Sequence, residues 1–442
     1  MIRAFQAASV TTPYRTIDAE TGPDGRNREG PTVLQVVPEL EAGGAELSAI
    51  EVSEAVVAAG GQAIVASEGG RLVQRLLACG ARHIALPVGS KSPFQLVLNA
   101  RRIAGLIRSE AIDIVHARSR APAWSALFAA RRTGAVFVTT YHGIYNEHGM
   151  LKKAYNRVMA RGERVIANSN YTASVVRQRY GVPEAVLRVV NRGVAVDVFD
   201  PARMSFERTA TLLGAWGVEA RQASGDGRRP VILHPARLTR WKGQLVVIEA
   251  AQRVLALWPS GPRPLFILAG DPQGRDGFVG ELEASIAARG LGNDVKLVGH
   301  VDDMPAALSA SACVLIASIE PEAFGRTAAE AQAMGVPVIA TNIGAPRETV
   351  LSRETVGEAA FTGWHVPPND PAALAEAITG CLALTRPQRD ALAVRARAHA
   401  VENFSTSQLQ ARTLAVYDEL LGTDLAYRFA LSRKVAPHRL IP

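Results

Sequence analysis

A chain of 442 residues, nearly half of them hydrophobic, can bury two ordinary cores of about 200 residues each, which excludes a disordered or fibrous protein. Three scattered cysteines, Cys79, Cys313 and Cys381, make no Cys-x-x-Cys pair and leave one over, so neither a disulfide framework nor a zinc site is expected, and a reducing cytoplasm fits. The net charge of +8 lies entirely in the residues up to Asp197, which points either to an anionic partner for that half or to a solvated basic surface.

Residues 1–30 are polar, with no apolar signal region, and are expected to be disordered. Short β-branched runs then alternate with helix-length segments: VLQVVP from 33 to 38, a helix from about Ala45 to Ala59, QAIVAS, HIALP, DIVHA and VFVTTYH. That rhythm predicts βα units around a parallel sheet in a first domain over 31–200. A linker is expected over 201–229, ending in the loop-like SGDGRRP. The rhythm restarts in a second domain over 230–405 with PVILHPAR, PLFILAG, VKLVGH, CVLIAS and VPVIAT. The spacing predicts a helix over about Thr406 to Leu421, within a segment 406–424 that crosses back to brace the first domain, before a basic tail over 425–442. No stretch approaches the length of a membrane span.

The richest segment for chemistry is SIEPEAFGRTAAEAQAMG. A helix starting near Gly325 leaves the amides of Phe324, Gly325, Arg326 and Thr327 without intrahelical partners, and its dipole favours an anion such as a diphosphate. Glu330, a turn or more inside, is placed to accept two ribose hydroxyls, and Glu322 on the preceding loop to grip a sugar. A bare pair of glutamates at this spacing is more often solvated. What raises its significance is HPARLTRWKGQ, where a strand ends near Arg237 and a loop delivers Lys242. Ligands collect beyond the carboxyl ends of parallel strands, and two cations there can neutralise charge on a departing nucleoside diphosphate.

In the first half, Gly43 and Gly44 follow the first strand, where a missing side chain lets a phosphate or an acceptor approach the backbone. The Gly-x-Gly-x-x-Gly dinucleotide fingerprint is absent. His142 and Gly143 end another strand, and His116, Arg118 and Arg120 end a third as candidates for acceptor contact or for surface solvation. For a metal, Asp302 with Asp303 and Asp197 with Asp200 are wrongly spaced for an Asp-x-Asp loop and read better as loop or helix caps.

Taken in order, GGAE at 43–46, VHARS, TTYHG, VIANSNYT at 165–172, NRGVAVDVF at 191–199, the Arg237 and Lys242 loop, LAGDP, LVGHV and the E-x-F-G helix resemble the retaining glycosyltransferases of family 4, from about 32 to 421. The resemblance implies a GT-B fold, two Rossmann-like domains facing across a cleft. It implies that Arg237 and Lys242 bind the donor diphosphate, Glu330 the ribose and Glu322 the transferred sugar, with amides near Phe324, Gly325 and Arg326 assisting. It also sets His142 beside the donor sugar, the amide of Gly44 on the phosphate or acceptor side, and the base against Gly299, His300 and Val301. Family members retain anomeric configuration, and the leaving phosphate oxygen helps deprotonate the acceptor, so neither a protein nucleophile nor a metal or other cofactor is required. A double-displacement carboxylate is the alternative mechanism.

Two departures stand out. Arg326 occupies a position that is aliphatic in many relatives, and VHARS replaces VHAHS, setting Arg118 in a possible acceptor region. Together these segments look like bacterial transferases of lipopolysaccharide core assembly, often mannosyltransferases. The expected partners are a nucleotide sugar donor, a saccharide or glycolipid acceptor and the anionic inner membrane leaflet, with no nucleic acid, since no recognisable nucleic-acid module is present. Competing readings are a nucleotide sugar epimerase or sugar phosphorylase of the same architecture, and a non-catalytic module that binds nucleotide sugars. The phosphorylase would want a longer chain and a lysine for pyridoxal phosphate, and the joint presence of Glu322, Glu330, Arg237 and Lys242 argues against the module.

Overall fold

The computed structural model describes residues 30–41, 43–145, 147, 149–218, 229–259 and 262–435. Two parallel sheets organise them. The first contains β1 (Thr32–Val36), β2 (Gln62–Ser67), β3 (Arg82–Ala85), β4 (Ile114–Ala117), β5 (Val136–Tyr141), β6 (Arg164–Ala167) and β7 (Leu187–Val189), in the order β3-β2-β1-β4-β5-β6-β7. The second contains β8 (Val231–Pro235), β9 (Leu265–Ala269), β10 (Val295–Gly299), β11 (Cys313–Ile316), β12 (Val338–Thr341) and β13 (Gly363–Val366), in the order β10-β9-β8-β11-β12-β13. Both orders reverse direction beside their first strand, between β1 and β4 and between β8 and β11, and that reversal opens a crevice at the carboxyl ends of the strands. The α/β, two-domain Rossmann-like expectation holds. Strands β6, β7 and β13 are short additions that the expected pattern did not name.

The apolar runs of the second sheet are nearly continuous because both faces are covered. Leu233, Ile267, Val314 and Val338 face a core shared with Ala328, Ala331 and Phe404. Ile232, Phe266, Leu315 and Ile339 alternate to the other face, against Val247, Ala251 and Ile378.

Contacts divide the chain into two compact units. One holds the residues up to Thr140, Glu147–Val165 and the chain from Gln410 on; the other holds Tyr141–Asn146 and Ile166–Leu409. Residues 166–200, assigned to the first domain on sequence, supply half of β6 and all of β7 to the first sheet, although by contacts they group with the second unit. The expected linker is also different. Phe206–Ala215 is a helix, and Leu213, Trp216 and Val218 are buried in the core of the second unit, because this segment carries apolar side chains at helical spacing before its polar end. The helix Thr406–Leu421 forms as expected, and from Gln410 on it packs into the first unit: the Gln410 amide donates to the Glu51 carbonyl at 2.8 Å, and Tyr417 is fully buried.

Residues 425–435 of the expected tail form a further helix, Leu425–Val435. Its first amides, on Leu425 and Ala426, are capped by the Asp418 carboxylate at 2.8 and 2.9 Å, and Leu425 and Phe429 are buried. The remainder of that tail and the expected disordered segment, apart from Gly30, lie outside the described residues. Among the described residues no helix is long and apolar enough to cross a membrane.

Candidate active site

A cavity of about 560 Å³ in the second unit is lined by the loop after β8, the loop after β11 with the start of the helix Arg326–Ala333, and the segment from His142 to Ile144 with Asn168 and Arg192. It therefore sits at the reversal point between β8 and β11, where the topology places a ligand site.

Two glycines bring its walls together. After β8 a short turn, Arg240–Lys242, ends at Gly243, whose φ of +78° is left-handed. A Cβ there would lie 1.9 Å from the Ala317 carbonyl oxygen, so only glycine lets this turn meet the end of β11. The Ile319 amide then bonds the Trp241 carbonyl at 2.8 Å. The consequence is an ion pair between loops far apart in sequence: Lys242 Nζ lies 2.7 Å from Glu322 Oε1, with side chains only 15% and 12% exposed. Ser318 Oγ also donates to that carboxylate oxygen, and Lys242 Nζ lies 4.3 Å from the centre of the Trp241 ring. Beneath the pair, His234 is buried with Nδ1 bonded to the Leu315 carbonyl at 2.9 Å, and burial pushes its pKa down to about 4, so it is neutral.

Gly325, with φ of +78°, is the N-cap of the helix Arg326–Ala333, and no side chain caps it. Gly325, Arg326 and Thr327 all line the cavity, so this helix N-terminus stands beside it, where an anion would be favoured. Phe324 is buried and packs edge-on against Phe404 at 5.5 Å, holding the loop to the core. Arg326 Nε bonds Glu330 Oε1 at 2.8 Å, one helical turn away. Burial raises the pKa of Glu330, and the Arg326 charge opposes that rise.

The structure thus gathers Arg237, Lys242, Glu322, His142, Phe324, Gly325, Arg326 and Thr327 around one cavity, with Glu330 held through Arg326. Arg237 is exposed, and its Nη1 makes a long 3.5 Å contact with Gln273 Oε1. Gly299, His300 and Val301, which the resemblance set against the base, are not among the residues that line this cavity. His300 and Val301 line a separate cavity with Trp216 and Lys296, and Gly299, φ +72°, uses its carbonyl to receive the Gly270 amide at 2.7 Å. Gly44 is the first residue of the helix Gly44–Ala58 in the first unit, and the Gly43 amide beside it is already taken by Glu46 at 2.9 Å.

The acceptor assignment of His116 and Arg118 is corrected. Both are buried in the first unit. His116 lies 2.7 Å from Tyr417 Oη through Nδ1 and 2.7 Å from Thr140 Oγ1 through Nε2, while Arg118 Nε donates to Gln35 Oε1 at 2.9 Å. Burial lowers the Arg118 pKa and raises that of Tyr417 to about 12, and each group opposes the shift of the other. These residues brace the helix Thr406–Leu421. A strand-end position looks the same in sequence whether its side chain turns inward or out.

One member of each Asp pair acts as a cap and ion partner. Asp303 caps the Ala306 amide at 3.0 Å and pairs with Arg208, and Asp200 caps Ala202 and pairs with Arg397 at 3.0 Å. Among the described residues no cluster of three or more metal-ligating side chains occurs. Arg192 and Asn168 join the cavity without having been expected there: their side chains donate to the His142 carbonyl at 2.8 and 3.3 Å, and both lie in segments that carry the family resemblance.

Comparison with known proteins identifies the family. The model for glycosyltransferase family 4 matches residues 42–198 and that for glycosyl transferases group 1 matches residues 219–399. A glycosyltransferase from Rickettsia africae ESF-5 is 36% identical, with a TM-score of 0.79, over 90% of this chain and 100% of that one. The chain belongs to the family 4 glycosyltransferases of GT-B fold. Among curated relatives of this glycosyltransferase, the D-inositol 3-phosphate glycosyltransferase of Jonesia denitrificans is 27% identical over 71% of this chain and 74% of its own. The lipopolysaccharide core biosynthesis mannosyltransferase LpsB of Rhizobium meliloti is 29% identical over 60% of this chain and 68% of its own. Anabaena HepE, solved with UDP and glucose, shares the fold at a TM-score of 0.71 and 24% identity, over 88% of this chain and 99% of that one.

Proposed function

We propose that this glycosyltransferase moves a hexose from a nucleoside diphosphate sugar to a hydroxyl of a saccharide or glycolipid acceptor, with retention of anomeric configuration and without a metal. The observation that carries the reading is the Lys242–Glu322 pair, 2.7 Å apart in a cavity that Arg237 and Arg326 also line. Arg237 and Lys242 neutralise the diphosphate, the uncapped amides before and within the first turn of the Arg326 helix receive its oxygens, and Glu330 binds the ribose. Glu322 and His142 hold the donor sugar. The bond from the anomeric carbon to the phosphate oxygen breaks as the bond to the acceptor oxygen forms on the same face, and the acceptor proton passes to the leaving phosphate oxygen. Glu322, already bonded to Lys242 and Ser318, is suited to fixing sugar hydroxyls rather than to attack.

The likeness to LpsB favours a mannosyl donor and lipopolysaccharide core or another cell-surface polysaccharide as the acceptor class, and the inositol 3-phosphate relatives favour a phosphorylated polyol as the second candidate. Attraction of the basic first half to an anionic leaflet would bring the enzyme to a lipid-linked acceptor. The test is a panel of GDP, UDP and ADP sugars against saccharide and inositol phosphate acceptors, in chelator, with product anomers assigned by proton NMR. An α-linked product from an α-linked donor in the presence of chelator is expected. An inverted product, or steady interconversion of the donor sugar without acceptor, would replace this reading with another.

A further inference from the structure

The loop that carries Glu322 has no regular structure of its own, yet each of three successive carbonyls in it is held. That of Glu322 receives the Ala345 amide at 2.9 Å, that of Ala323 receives Ser169 Oγ at 2.7 Å and Thr172 Oγ1 at 3.2 Å, and that of Phe324 receives Thr349 Oγ1 at 3.2 Å. The two outer anchors come from the segment after β12, and the middle one from the N-terminal turn of the helix Asn170–Tyr180. Those two supports are themselves tied together. Glu348 Oε2 accepts the amide and the side-chain amide of Asn170 at 2.8 and 3.0 Å, and Oε1 accepts the Tyr171 amide at 2.5 Å. The result is a closed ring of hydrogen bonds running from the Ser169 turn to Ala323, on to 345–349 and back to the Ser169 turn.

We infer that Ser169, Thr172 and Glu348 are positioning residues that fix the Glu322 loop for sugar transfer. None of the three lines the cavity, so they act through the Ala323 carbonyl and the Asn170 helix. Ser169 does two tasks with one hydroxyl: Oγ accepts the Thr172 amide at 3.0 Å as the helix N-cap and donates its proton to Ala323. The Glu348 charge meets the positive end of that helix, which makes its bonds charge-assisted. The anchored loop holds the sugar-facing carboxylate and leads into the amides of Gly325 to Thr327, which the helix Arg326–Ala333 and the packing of Phe324 on Phe404 hold independently of the ring, whereas Arg237 and Lys242 stand on the loop after β8. Loss of the ring therefore acts on the sugar end of the donor more than on its diphosphate end, and displacements of about 1 Å at a reacting centre suffice to lower turnover severely.

The inference rests on the functional reading above, and its test separates the two. Steady-state transfer and calorimetric binding of the free nucleoside diphosphate are compared for the unaltered protein, Ser169→Ala with Thr172→Val, and Glu348→Ala. The expected result is a fall in kcat of at least tenfold in both variants, with nucleoside diphosphate affinity within threefold of the unaltered protein. Thr172→Ser, which keeps the hydroxyl, and Glu348→Gln, which keeps an acceptor oxygen, should recover most of the rate, and they serve as the probes where a harsher variant does not fold. A lower melting temperature with unchanged kcat at 25 °C would assign these residues a purely structural role and overturn the inference. Failure of the unaltered protein to transfer sugar from any donor overturns the functional reading and this inference with it.

Discussion

Replacing Lys242 by methionine removes a charge while keeping most of the side chain's volume, and its effect can be worked from the ion pair. At 2.7 Å from Glu322, the gross attraction in a medium of effective dielectric about 20 is roughly 6 kcal/mol, offset by the desolvation of two side chains that are 15% and 12% exposed. Removing one partner of such a pair is expected to destabilise the fold by about 3–5 kcal/mol, because the Glu322 carboxylate stays enclosed without its cation. In a unit of about 200 residues this lowers the melting temperature by roughly 6–20 °C. Removing Glu322's charge as well, in the double variant Lys242→Met with Glu322→Gln, should restore much of that loss. Turnover is a separate effect: withdrawing one group that stabilises developing charge costs about 2.7–4 kcal/mol, a fall in kcat of about 100- to 1000-fold, which the double variant should not recover. Differential scanning fluorimetry and steady-state transfer read the two quantities independently. A folded Lys242→Met protein with native melting and turnover within threefold of the unaltered enzyme would refute the reasoning.

Arg237→Ala, on an exposed side chain, should leave the melting temperature unchanged and weaken nucleoside diphosphate binding about tenfold by calorimetry. Burial raises the Glu330 pKa above its ordinary 4.5, so proton uptake there favours the folded state; that contribution is complete below 4.5 and is lost as pH rises through the raised value. The permanently neutral Glu330→Gln should therefore melt no lower than the unaltered protein at pH 7 while binding the nucleotide more weakly. Arg326→Met removes the charge that opposes this rise, so the acid limb of nucleotide affinity against pH should move upward. Tyr417→Phe takes a hydrogen-bond partner from buried His116 and Arg118 and should cost about 1–3 kcal/mol of stability in urea unfolding, with acceptor KM unchanged.

The division between what was legible in the residues and what was not has a physical basis. Both sheets could be read from short apolar runs, most plainly in the second, where the covered parallel strands VILHP, LFILA, CVLI and VIAT are buried throughout. The meeting of Lys242 with Glu322 could be expected from their two strand-end loops, since adjacent strands at a reversal point bring such loops together. The direction of a side chain at a strand end could not: His116 and Arg118 turn into the first unit, and nothing local in VHARS distinguishes that from an outward course. Short edge strands such as Leu187–Val189 hold too few residues for a period to show. Glu348 carries no signal in GAPRETV, because its role depends on the Asn170 helix, 178 residues earlier in the chain.

The most direct test of the central claim is a crystal structure of the unaltered protein with an unhydrolysed nucleoside diphosphate sugar. The pyrophosphate is expected within hydrogen-bonding distance of Lys242 Nζ, the Arg237 guanidinium and the amides of Gly325 to Thr327, with sugar hydroxyls on the Glu322 carboxylate. Density for the pyrophosphate in the cavity beside His300, or anywhere that leaves the Lys242–Glu322 pair untouched, would contradict that claim.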